Sequence, residues 1–176
     1  MKNAANAYLD YAKRYPRRRI AAASTWKAGW IYEELGMIRQ ELEVYRGLLR
    51  HWPRSKYRNE AKFRIGLSYL RLGNFIEAER IFRDIKNSKL SEFHRSRGSY
   101  WLAKSYQMRG KNKESTELLS DLAGDTFNSY YTLKSYILFE NEIDSLSHIK
   151  EMLSDTKNPL RFYTDRIEGV ISRFED

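Results

Sequence analysis

Apolar and small residues recur along this chain at the three- and four-residue spacing of helix faces, and the stripes themselves recur at a longer fixed interval. Ser24, Trp26, Gly29, Trp30 and Tyr32 form one such stripe, and Ala61, Phe63, Gly66, Leu67 and Tyr69 repeat it. The small residue inside each stripe predicts a first helix that a neighbour can approach closely. After Gly73, Asn74 opens a short turn, and Phe75, Ala78, Ile81, Phe82 and Ile85 predict a second, antiparallel helix. Each unit therefore reads as a helical hairpin.

The interval is 37 residues, set by Gly36, Gly73 and Gly110. In phase with them run Trp26, Phe63 and Tyr100; Gly29, Gly66 and Ala103; Tyr32, Tyr69 and Tyr106; Tyr45, Phe82 and Leu119; and Leu48, Ile85 and Leu122. Columns of this kind are the signature of a stacked helical repeat. The expected fold is all-α, a right-handed superhelix (solenoid) of antiparallel helical hairpins over a single domain, 1–176. Its parts are a partial unit 1–16, repeats 17–53, 54–90 and 91–127, and a degenerate hairpin with a capping helix over 128–176.

The opening residues Ala5, Tyr8, Leu9 and Ala12, followed by Tyr15 and Pro16, match the second-helix ending that recurs at Leu48, Leu49, Trp52 and Pro53. A longer solenoid, or a capping helix at a natural start, is expected from that phase. Beyond Ala123 the landmarks fade. Tyr130, Tyr131, Leu133, Tyr136, Ile137 and Leu138 predict one helix, Leu146, Ile149, Met152 and Leu153 another, and Asn158 with Pro159 cap a third carrying Tyr163, Ile167, Val170, Ile171 and Phe174.

Composition narrows the function classes. Hydrophobic residues make up 41% of the 176 positions, enough for a continuous core in stacked helices. The formal charge of +9 favours anionic partners, but the charge-rich solvated face usual in helical repeats is an alternative source of it, and a solvated turn explains the run Arg17-Arg18-Arg19, which falls in a connection. No cysteine is present, which excludes a disulfide framework and thiolate metal sites. No apolar run is long enough for a transmembrane segment, and the first residues lack the hydrophobic centre of a signal peptide.

The unit, with a small residue, an aromatic, a glycine turn and Ala78 in the second helix, resembles the tetratricopeptide repeat, whose usual period of about 34 residues is shorter by about three. The connectors Tyr15-Pro16-Arg17 and Trp52-Pro53-Arg54-Ser55-Lys56-Tyr57 resemble links of bacterial envelope repeat proteins. The order Tyr100-Trp101-Leu102-Ala103, Gly110-Lys111, Leu119, Leu122, Ala123 and Ser129-Tyr130-Tyr131 is similar to the non-catalytic helical domain of soluble lytic murein transglycosylases. That likeness spans roughly residues 93 to 139 and implies a periplasmic or envelope location and an arc of helices cradling glycan strands beside a separate catalytic domain.

Candidate chemistry inside the chain is sparse. Ile38-Arg39-Gln40-Glu41 is similar to the catalytic stretch of those transglycosylases, where the glutamate is general acid and base. Here Leu42 follows where that family has serine, and position 41 shares a column with Ala78 and Ser115, so a packing or surface role is expected, with either a salt bridge to a nearby arginine or a local loosening of the first unit. His51, His94 and His148 lie far apart, no glycine-rich phosphate loop occurs, and no serine sits in a nucleophile elbow. The chain is thus expected to be no enzyme by itself and to need no metal or cofactor.

In tetratricopeptide stacks the first helices line the concave face. By that resemblance Trp30, Glu34, Arg71, Arg97, Lys104 and Gln107 are the candidate partner-binding residues, while the strictly repeating Trp26, Phe63 and Tyr100 are assigned to the hairpin core. Gly29, Gly66, Ala103, Gly36, Gly73 and Gly110 are assigned structural roles in the repeat. The expected partners are a protein or peptide in the concave groove, or peptidoglycan glycan strands. Nucleic acid is not expected, because no repeating column of base-reading polar residues is visible.

Overall fold

The computed structural model describes residues 1–124 and 130–140, all helical apart from turns and connectors. The helices expected around Leu146 and beyond Pro159 lie outside the described residues. The elements are α1 (Lys2–Arg14), α2 (Ala21–Glu34), α3 (Ile38–His51), α4 (Arg58–Arg71), α5 (Phe75–Lys86), α6 (Glu92–Met108), α7 (Asn112–Gly124) and α8 (Tyr130–Glu140). The chain divides into two compact units, Met1–Asp84 and Ile85–Asp176.

Within Met1–Asp84 the helices pack in series, α1 on α2, α2 on α3 and α3 on α4. Helix α2 is wedged between two neighbours, and its sequence answers with small side chains: Ala21, Ala22, Ser24, Thr25, Ala28 and Gly29 are all buried. Helix α3 is amphipathic instead, burying Leu42, Tyr45 and Leu48 along one stripe. Within the second unit α6 packs on α7, and α7 and α6 both pack on α8.

Each hairpin turns in the same way. Gly36, Gly73 and Gly110 have φ of 66°, 72° and 72°, the left-handed region that costs a side chain. At the first turn the Gly36 amide donates to the Glu33 carbonyl at 2.9 Å and the Met37 amide to the Tyr32 carbonyl at 2.9 Å. Gly73 to Leu70 with Asn74 to Tyr69, and Gly110 to Gln107 with Lys111 to Tyr106, repeat both bonds. This paired closure satisfies carbonyls that the helix end would otherwise leave bare. The Tyr32, Tyr69 and Tyr106 column therefore sits where the turn bond is accepted.

The first two connectors also match. Tyr15 and Trp52 close α1 and α3 at φ −128°, ψ 56° and φ −130°, ψ 62°. Both precede proline, which disfavours the helical conformation in the residue before it, so each helix stops at its aromatic. Arg18 then donates to Tyr15 and Ala21 to Arg18, each at 3.0 Å, and the next connector repeats the pattern with Ser55 to Trp52 at 2.9 Å and Arg58 to Ser55 at 3.0 Å. The Trp52 indole nitrogen donates to the Pro16 carbonyl at 2.9 Å and fastens one connector to the other.

Candidate binding face and its supporting network

Close packing of α2 on α3 rests on Gly29. A β-carbon built there would meet the Tyr45 ring at 2.5 Å, and one at Gly66 would meet the Phe82 ring at 2.7 Å. Atoms cannot approach so closely, so the missing side chain makes room for the ring. In the third hairpin the same two columns hold Ala103 and Leu119, both buried. Trp26 stacks on Tyr57 with ring centroids 5.4 Å apart and planes at 11°, and also lies 5.2 Å from Tyr45. Phe63 and Tyr100 are each 4% exposed and hence core.

The column of Glu41, Ala78 and Ser115 is buried throughout. Glu41 is fully buried, accepts the Ser68 hydroxyl at 2.9 Å and is gripped by Arg71 Nη2 at 2.8 and 3.0 Å. Its carboxyl is pushed above the usual range because burial outweighs the pull of Arg71 and of the Ser68 hydroxyl. Arg64 pairs with Glu33 and, at 3.2 Å, with Glu60, and Arg71 lies 3.9 Å from Glu33. Helices α2, α3 and α4 are thus tied by one chain of charges beside Tyr45, whose phenol burial and then Glu33 push upward. A catalytic glutamate needs access to a cleft and substrate; Glu41 is sealed from solvent and committed to Ser68 and Arg71.

The candidate partner-binding residues fall on both units. On Met1–Asp84, Trp30 is 49% exposed and Glu34 is exposed one helical turn further along α2. Arg71, on α4, spends its guanidinium on Glu41 and Glu33. On the second unit Lys104 Nζ donates to Gln107 Oε1 at 2.9 Å along α6. Arg97 is buried, its guanidinium carbon 5.5 Å from the centre of the Phe93 ring. Burial removes Arg97 from this face, and ion pairs with Glu41 and Glu33 commit the exposed Arg71 to the fold, which leaves Trp30, Glu34 and Gln107 as the exposed candidates.

Sequence reasoning missed Ser68 and Arg64 as supports of Glu41 and Glu33. It also did not foresee the aromatic cluster of the second unit, where Tyr131 lies 5.6 Å from Tyr100 and 5.8 Å from Phe93. Burial raises the Tyr100 phenol to about 12. The missed signal was length: α6 starts at Glu92, and its 17 residues exceed the 14 of α2 and α4, giving Phe93 an extra turn to stand on.

Residues 23–55 match the family model of the tetratricopeptide repeat. The match covers α2 from Ala23 onward, its glycine turn, α3 and the Trp52-Pro53 connector, and leaves residues 93 to 139 outside it. None of the curated proteins matches the chain. With the repeated hairpins, this makes the chain a tetratricopeptide-like helical repeat, an architecture of protein–protein interaction modules. Among the described residues no helix is long and apolar enough to cross a membrane.

Proposed function

We propose that the chain is a non-catalytic scaffold that binds a peptide segment of a partner through the exposed face of its first helices. The observation that carries this reading is Trp30. A large aromatic is half exposed on the helix that opens the tetratricopeptide match, in a column that holds Leu67 and Lys104 in the later hairpins, while Phe63 and Tyr100 of the repeating aromatic column are buried. An exposed tryptophan offers a large contact area at low entropic cost, with Glu34 beside it to pair with a cation. Screening the full chain against an immobilised peptide library tests it. Trp30→Ala and Glu34→Lys should each remove a shared set of bound peptides while leaving the thermal melt unchanged. Binding that survives both would overturn the assignment to this face.

The same reading extends to the bacterial envelope and to peptidoglycan-processing assemblies, on the likeness of the aromatic-proline connectors and of residues 93 to 139 to murein transglycosylase helical domains. Retention on purified sacculi at low salt, above that of charge-matched control proteins, is the expected outcome. Equal retention would remove the glycan partner.

A further inference from the structure

The two fastened connectors line a second surface, separate from Trp30. They border an open cleft of about 880 Å³ whose rim carries Arg17, Arg18, Arg19, Arg54 and Lys56. All five are exposed, and none forms an ion pair with a carboxylate among the described residues. Cations on the helix faces, such as Arg64, Arg71 and Arg80, are instead held by glutamates. A cluster of cations without carboxylate partners, Lys56 Nζ resting 5.2 Å from the centre of the Tyr57 ring, on a turn that Trp52 and Pro16 hold in place is a preorganised anion receptor.

A mainly apolar recess of about 570 Å³ adjoins it, sharing Pro16, His51 and Trp52 and lined also by Leu9, Val44 and Gly47, with Lys13 and the Arg46-paired Glu43 in its lining as well. Gly47 stands inside α3, where glycine costs a helix about 1 kcal/mol relative to alanine. Packing does not demand it, since a β-carbon there would meet nothing within 4 Å. Asp10, Asp84 and Asp121 occupy the same phase in the other units, so the glycine removes both bulk and a negative charge at the recess.

We propose that this double cleft binds an acidic peptide segment of a partner protein, with carboxylates on the connector cations and one apolar side chain in the recess above Gly47. The aromatic rings nearby favour a peptide over a single-stranded nucleic acid. The Tyr57 ring is stacked on Trp26, so it offers no open platform for bases. A flat anionic membrane is disfavoured as well, because the apolar groups are recessed.

Fluorescence anisotropy of the full chain with two labelled peptides of equal negative charge, one with a leucine among its glutamates and one with serine there, tests the assignment. The leucine peptide should bind more tightly. Arg17→Glu with Arg19→Glu should weaken both peptides by roughly tenfold or more. Gly47→Leu, which fills the recess and favours the helix, should remove the leucine preference without lowering the melting temperature. Trp30→Ala should leave this binding intact, which separates it from the first-helix face. Unchanged affinity after the charge reversals, persistence of the leucine preference in Gly47→Leu, or tighter binding of a single-stranded RNA of equal charge would overturn the proposal.

Discussion

The hairpins α2–α3 and α6–α7 turn through the same glycine closure yet lock their helices by different means. In α2–α3 a bare glycine faces a tyrosine ring; in α6–α7 an alanine stands in the glycine column and a leucine in the tyrosine column. The buried column position is the charged Glu41, tied outward to α4, in the first, and Ser115, whose hydroxyl donates to the Ala103 carbonyl at 2.9 Å, in the second. The difference teaches that the repeat constrains the turn strictly and the interlock only as a pair. Volume lost on one helix is regained on the other, and the polarity of the third position follows the neighbour that must be held.

The largest effect should come from breaking the ring-over-glycine pair. Gly29→Ala, which would drive a methyl into the Tyr45 ring, is expected to cost about 2–3 kcal/mol in a denaturant melt. Adding Tyr45→Leu recreates the alanine–leucine pair of the third hairpin and should recover more than half of that loss; simple addition of the two single costs would break the comparison.

Next in size is the charge chain. Arg71→Ala strands the buried Glu41 and should cost about 2 kcal/mol, less than for a wholly buried pair because the arginine side chain is 36% exposed. The turns should respond alike: Gly36→Ala, Gly73→Ala and Gly110→Ala should each cost about 1–2 kcal/mol, and a marked inequality would show that the three closures are not equivalent.

The smallest effect is in pH. Glu41 has a folded pKa raised above its ordinary 4.5, so it holds its proton longer in the folded state than in the unfolded one. Its contribution to stability is complete below that ordinary value and is lost as pH rises through the folded value. The stability of the native chain relative to Glu41→Gln should therefore fall with rising pH just above 4.5, by no more than about 1.4 kcal/mol per pH unit. Thermal melts of the two proteins across that range would check both sign and slope.

The architecture was legible because a helix writes its neighbours into its spacing. A stripe such as Ala78, Ile81, Phe82 and Ile85 has one packing solution, and the recurring glycine marks where it begins. The supports of Glu41 were not legible in the same way, since Ser68 and Arg71 lie 27 and 30 residues further along the chain and only the packed helices bring them together. Arg71 shows the limit for the candidate binding face: spacing places a residue on a helix, but the carboxylates that capture it come from two other helices. Trp30 stands out because it departs from its column, where Leu67 and Lys104 occupy the same phase.

The bond between Trp52 and Pro16 spans 36 residues, nearly one full repeat. Closing a loop of that length costs only modestly more than closing a short one, because the entropy grows with the logarithm of length. Folding within Met1–Asp84 can therefore begin at whichever hairpin closes first and spread one neighbour at a time, as a zipper does from any engaged tooth. A chain built this way accepts the loss of one fastening as a slower step at that place rather than as failure everywhere.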